Sequence, residues 1–164
     1  RYSLANSAGI LLGADYAFDL TRPGLALYGG VPSAAGEGRI GQVVFPEAQV
    51  IQRRRVSAGE AVGYNATWTV PADTELAILN IGYADGYLRG FSGVGMARLG
   101  DAMLPVRGRV SMDLLIVDVG TLPSVAEGDW VGIDYELSES AAGVKLTQYE
   151  LLTGLGSRFD RRWG

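Results

Sequence analysis

The chain has 164 residues, with fourteen basic and eighteen acidic side chains, a net charge of −4, no histidine and no cysteine. Without those two residue types it cannot by itself build a disulfide, a thiolate nucleophile, a Cys/His zinc site or a Ser-His-Asp triad. The acidic balance with dispersed arginines argues against a nucleic-acid partner, and no apolar run approaches the roughly 18 residues of a membrane span. A cysteine-free chain with no basic-then-apolar leader reads as cytoplasmic, although it opens in mid-pattern at Arg1, as a fragment or a processed chain would.

Residues 1 to about 40 differ in pattern from the rest. Ser7 stands where it can cap a short helix whose apolar positions include Ile10, Leu11 and Tyr16. Arg22-Pro23-Gly24-Leu25 then predicts a turn with bare backbone, and the segment 32–38 reads as a connector. From about residue 41 the hydrophobic period becomes two. Strands are predicted across 42–51 with an interruption at Pro46, across the buried run 75–81, and at 94–99, 103–110, 114–119 and 129–134. Glycine turns at Ala58-Gly59, Leu99-Gly100-Asp101 and Glu127-Gly128-Asp129 separate them, which implies a compact β barrel or sandwich. Thr147-Gln148-Tyr149-Glu150 has capping-box spacing before one short helix closed by Gly154 or Gly156, and 158–163 reads as a last extended stretch.

With no His or Cys, acid–base chemistry falls to carboxylates, tyrosines and the only lysine, Lys145, which lies in a small-residue loop and reads as a solvated side chain. Tyr64 and Tyr83 sit in glycine-flanked loops. A free phenol titrates near 10, so it is a usable base only beside cations; packing or hydrogen bonding is the plainer role. Asp85-Gly86 reads as a turn. Asp113 follows Arg107 and Arg109, which together would bracket an anion or form a surface ion pair, and Arg53-Arg54-Arg55 reads as a solvated strand segment. The amides of Gly24 and Leu25, helped by the Ser7 hydroxyl, form a candidate phosphate loop.

Several segments occur together and in order: Ala5-Asn6-Ser7-Ala8, Arg22 through Gly29, Val62-Gly63-Tyr64-Asn65-Ala66-Thr67-Trp68, Ile81-Gly82-Tyr83-Ala84-Asp85-Gly86-Tyr87, Gly108-Arg109-Val110-Ser111-Met112-Asp113, and Tyr149-Glu150-Leu151-Leu152 ahead of Arg158. Across its whole length the chain resembles the C-terminal part of an alanine racemase. The resemblance implies a mainly β, barrel-like C-terminal domain over 41–164, preceded over 1–40 by a remnant of the last unit of a (β/α)8 barrel. That barrel carries pyridoxal phosphate on a lysine outside this chain. It also implies a head-to-tail homodimer in which each C-terminal domain completes the partner's site, a small amino-acid substrate, and D-alanine supply for peptidoglycan precursors.

By the same resemblance Tyr64 is the catalytic tyrosine of a two-base racemisation. Arg22 faces the pyridine nitrogen; Ser7, Gly24 and Leu25 contact the phosphate. Tyr83 stands at the substrate entrance and the Met112 backbone near the substrate carboxylate, with Arg89 and Asp113 in the surrounding network. Asn65 replaces a frequent glycine, and Ser157 stands where some members place a phosphate-contacting tyrosine. An isolated chain of this kind is expected to be inactive. Alternatives are a racemase acting on serine, lysine or a broader set, or a non-catalytic β domain for dimerisation or binding.

Overall fold

The computed structural model describes residues 1–164, which form two compact units: Arg1–Val44 with Tyr135–Thr153, and Phe45–Asp134 with Gly154–Gly164. The second unit holds eight strands: β1 (Glu47–Val56), β2 (Ala61–Val62), β3 (Trp68–Thr69), β4 (Thr74–Leu79), β5 (Met96–Leu99), β6 (Ala102–Pro105), β7 (Leu115–Asp118) and β8 (Trp130–Ile133). Six of them form an antiparallel sheet in the order β6-β5-β8-β1-β4-β7. Val106, just past β6, bridges to Val117 of β7, so the two outer strands meet and the sheet closes on itself as a barrel. The sequence expectation of a mainly β, barrel-like domain is therefore met.

Strand β1 shows how closure is achieved. Residues 47–49 pair with β8 and the rest of the strand with β4, and the register slips between Val50 and Gln52. A bulge of this kind bends a strand and raises its twist, which lets one ten-residue strand serve two neighbours at a barrel corner. Pro46 stands just ahead of β1, where its missing N–H costs no ladder bond, and its carbonyl accepts from Ile133 N–H. Alternate residues point inward. Leu79, Ala97, Leu104, Leu115, Val117 and Val131 are all fully buried and fill the interior. The arginine run in β1 is not uniformly solvated. Arg53 donates to Glu75 and to the carbonyls of Pro123 and Val125, tying a loop to the strand, whereas Arg54 and Arg55 form exposed pairs with Glu60 and Asp73.

The first unit contains the helices α1 (Ser7–Leu11), α2 (Leu137–Val144) and α3 (Gln148–Gly154). Asn6, not Ser7, caps α1, accepting from Gly9 N–H at 3.0 Å, which leaves the Ser7 hydroxyl for another role. Asn6 also forms a parallel bridge to Arg22, whose N–H donates to Ala5 O at 2.8 Å. A single parallel bridge thus links the residues on either side of α1. Helix α3 begins with the predicted capping box. Thr147 N–H and hydroxyl donate to the Glu150 carboxylate, which holds that carboxyl below its ordinary range, and Glu150 N–H donates back to Thr147 Oγ. The expected loop around Lys145 is instead the end of α2, and Lys145 stops the helix in a left-handed conformation at φ +58.

Tyr135 is buried, and its hydroxyl donates to Leu151 O at 3.1 Å. Burial pushes its phenol up to about 12 from an ordinary 10.0. The folded state thus favours the neutral phenol. Its contribution is complete below pH 10 and is lost as the pH rises through about 12. Stability is expected to fall by ~2–3 kcal/mol across that window, read as denaturant midpoints at successive pH values. Tyr135→Phe should flatten this slope; an unchanged slope in that variant would assign it to other groups.

Candidate active site

Tyr64 lies on the short connection between β2 and β3, two-residue strands that the sequence does not announce. The connection is rooted in an apolar cluster of Val56, Val62, Val70 and Leu76, with Trp68 and Ile116 packed against it. Its backbone is tightly specified. Asn65 and Ala66 take left-handed conformations at φ +63 and +49. Asparagine is among the few residues that visit this region readily, so the departure from glycine at 65 preserves the turn. Segment 62–63 also abuts 108–109 closely enough that a Cβ on Gly108 would stand 2.9 Å from Val62 O. The Tyr64 side chain is 68% exposed. With Ile78, Arg109, Ser111, Leu114 and Ile116 it lines a shallow concavity of about 330 Å³, so a permanent cation borders the same space as the phenol. Arg107 turns away from this space, stacking on Trp68 at 5.3 Å and pairing with Asp118 at 3.4 Å.

Tyr83, Arg89, Met112 and Asp113 come together in one cluster. The turn Tyr83–Asp85 is zipped to the 111–112 segment by Tyr83 N–H to Ser111 O at 3.0 Å and Ala84 N–H to Met112 O at 2.9 Å. Gly82 permits this approach, because a Cβ there would fall 2.4 Å from Met112 O. The carbonyl of Met112 is thus engaged, and the group this backbone can offer a carboxylate is its N–H. The Arg89 guanidinium lies 4.7 Å from the centroid of the Tyr83 ring and braces it by a cation–π contact.

Asp85 and Arg158 underlie the cluster, and the sequence reading gave neither a role there. The nearly buried Asp85 carboxylate accepts from Gly82 N–H at 2.9 Å and from Arg158 Nε at 2.8 Å. Arg158 Nη1 reaches Asp113 at 2.7 Å. Asp113 therefore pairs with Arg158 across 45 residues, not with the bracket of Arg107 and Arg109. The two carboxylates, Asp113 first and then Asp85, hold the Arg158 guanidinium above its ordinary value. The sequence signals were present: Asp85 lies inside the I-G-Y-A-D-G motif, and Arg158 closes the last motif.

In the other unit the phosphate-loop residues converge. The Ser7 hydroxyl is 3% exposed and accepts from Gly24 N–H at 3.0 Å and Ala26 N–H at 3.2 Å, while Leu25 N–H donates to Tyr149 Oη at 3.0 Å. Three successive amides and two hydroxyls thus gather in one place, with the amides donating to the hydroxyl oxygens and the hydroxyl hydrogens left to donate to an acceptor such as a phosphate oxygen. The exposed Arg22 guanidinium is held by the carbonyls of Ser3 and Leu4 and by the Ser3 hydroxyl.

Comparison with known proteins sets these observations in a family. The profile described as alanine racemase, C-terminal domain, matches residues 43–163, and that described as alanine racemase, N-terminal domain, matches residues 1–32. The chain belongs to the alanine racemase family. An alanine racemase of Methylobacterium nodulans is 45% identical over 98% of this chain and 45% of its own length. A catabolic alanine racemase of Agrobacterium fabrum is 45% identical over 97% of this chain and 42% of its own length. The crystal structure of alanine racemase from Bartonella henselae with covalently bound pyridoxal phosphate superposes with a TM-score of 0.89 at 40% identity, covering 99% of this chain and 46% of that one. This racemase-family chain thus spans about half the length of the relatives it matches. None of its helices is long and apolar enough to cross a membrane.

Proposed function

We propose that the chain is the C-terminal part of a cytoplasmic, pyridoxal-phosphate-dependent alanine racemase that interconverts L- and D-alanine. On this reading residues 1–40 are the end of the cofactor barrel and 41–164 the β-rich C-terminal domain. The observation that carries the reading is Tyr64: an exposed phenol on a backbone-locked loop, beside Arg109, in a chain of this family. When bound, pyridoxal phosphate withdraws electrons from the substrate Cα and so acidifies its C–H bond.

The residues then divide the work. Ser7, Gly24 and Leu25 hold the phosphate, and Arg22 holds the pyridine nitrogen, where an always-charged donor keeps that nitrogen unprotonated. The Tyr64 phenolate takes the Cα proton of L-alanine on one face. A lysine outside these 164 residues returns a proton on the other face, and the roles reverse for D-alanine. Racemisation needs a base on each face, because retention would follow if one group both took and returned the proton. Met112 N–H receives the substrate carboxylate and Tyr83 lines the entrance, with Arg89 and Asp113 fixing both loops. Tyr64 serves the active site of the other subunit in a head-to-tail homodimer.

The test is racemisation of alanine, serine and lysine by the full-length protein containing this chain, followed by polarimetry or chiral chromatography. Alanine is expected to turn over fastest, with the absorbance of bound cofactor present. Faster turnover of serine or lysine would reassign the substrate, and a full-length protein that binds no cofactor and racemises none would make this a non-catalytic domain.

A further inference from the structure

The loop that carries Tyr64 is touched at both ends by one segment, Arg107-Gly108-Arg109, which lies between β6 and β7. At the entry of the loop the contact is backbone on backbone, since a Cβ on Gly63 would stand 3.3 Å from Arg109 N. At its exit the contact is a side chain: the Arg107 guanidinium lies over the Trp68 ring, 5.3 Å from its centroid. Gly108 makes the two contacts compatible. Its φ of +67 turns the chain so that Arg109 borders the concavity of Tyr64 while Arg107 leaves it.

The exit contact matters because the loop's own footing is slight. β2 and β3 pair through two residues each and form a sheet of their own, so no ladder joins them to the six-stranded sheet. Trp68 stands in that short ladder opposite Val62. Arg107, by contrast, is fixed to the barrel twice. Its N–H donates to Ile116 O at 2.8 Å, and its Nε lies 3.4 Å from Asp118 Oδ2. Asp118 is itself held, its other oxygen accepting from Thr74 Oγ1 at 2.9 Å and from Gly120 N–H at 3.1 Å. A line of contacts therefore runs from β4 and β7 through Asp118 and Arg107 to the indole. A partly buried guanidinium is drawn to an aromatic face more strongly than an exposed one, and its planar group stacks there as an ammonium does not.

We infer that Arg107 is a positioning residue for the Tyr64 phenol, with Asp118 holding it over Trp68. This rests on the reading that Tyr64 is one of two bases. Proton transfer depends on distance and alignment, so loosening the indole slows the Tyr64 step and spares substrate binding. In the full-length holoprotein, Arg107→Met is expected to lower kcat about three- to fivefold with KM level, a fraction of the roughly 10²-fold that a 1 Å displacement can cost. The primary deuterium isotope effects separate positioning from a general loss of structure. With Cα-deuterated L-alanine, whose deuteron goes to Tyr64, the effect should rise. With Cα-deuterated D-alanine, whose deuteron goes to the lysine, it should fall. Amide hydrogen exchange across 61–69, measured without substrate, should be faster in the variant. Arg107→Lys keeps a cation and should recover part of kcat. Asp118→Asn should move both isotope effects in the same directions as Arg107→Met, and it carries the same test if that variant folds poorly. An unchanged kcat would overturn the assignment alone, as would a lower kcat with both isotope effects unmoved. A wild-type protein that racemises nothing, or near-normal turnover by Tyr64→Phe, would overturn the functional reading, and this assignment with it.

Discussion

Tyr64→Phe in the full-length protein is expected to lower racemisation by about 10²–10⁴-fold while the cofactor stays bound. The ring and its packing are retained, so the loss isolates the phenolic oxygen. The loop supports this interpretation, because its left-handed Asn65 and Ala66 and its footing on Val62 and Trp68 involve no atom of the Tyr64 hydroxyl. A sharper outcome tests the proposed pair of bases. With the lysine intact, D-alanine should still exchange its Cα hydrogen with solvent deuterium in the variant, without appreciable inversion. Near-normal racemisation by Tyr64→Phe would remove Tyr64 from its role; loss of both exchange and inversion would mean that the substitution had damaged more than one face of the site.

Arg158→Met is expected to be the next most damaging change, although Arg158 is placed in contact with neither substrate nor cofactor. Its guanidinium joins Asp85, under the Tyr83 turn, to Asp113, beside Met112. Methionine keeps much of the stem and removes both charge-assisted bonds. The two loops then lose their side-chain clamp and are held by the backbone bonds of Tyr83 and Ala84 alone, and displacements near 1 Å at a binding site can cost up to about 10²-fold. We expect kcat/KM for alanine to fall by about tenfold or more, mostly through KM, with little change in cofactor affinity. Arg158→Lys should recover only part of this loss, since a point charge cannot span two carboxylates as a planar fork does. An unaltered KM in a folded Arg158→Met protein would reduce this ion pair to a surface contact.

The parts of the fold visible in the sequence are those in which local pattern and burial agree. β4 is readable as a dense apolar run because its residues face interior packing over most of its length. The Thr147–Glu150 box is readable because both of its bonds lie within four residues. β2 and β3 are not, since two residues carry no period. Helix α2 escapes for a related reason: it has eight residues, with Gly143 and two serines inside, so its few apolar positions make only a weak stripe.

The site divides in the same way. Tyr64, Tyr83 and Met112 stand in motifs whose glycines signal close backbone approach, and Gly82 and Gly108 bear that out at Met112 O and Val62 O. Ser7 looked like a cap because it precedes an apolar stretch, yet the preceding Asn6 takes the cap and frees the Ser7 hydroxyl. The pairing of Asp113 with Arg158 and of Leu25 with Tyr149 spans 45 and 124 residues. Partners at that distance are selected by topology, and local charge spacing points to nearer arginines instead.

The closed sheet has a consequence for assembly. Where Val106 meets Val117 and Arg107 N–H donates to Ile116 O at 2.8 Å, the two outer strands are joined within the chain. An open sheet invites strand addition by any passing chain, and a sealed one offers no such template. Any contact this unit makes with another chain is then left to its side chains and loops rather than to strand addition at the seam.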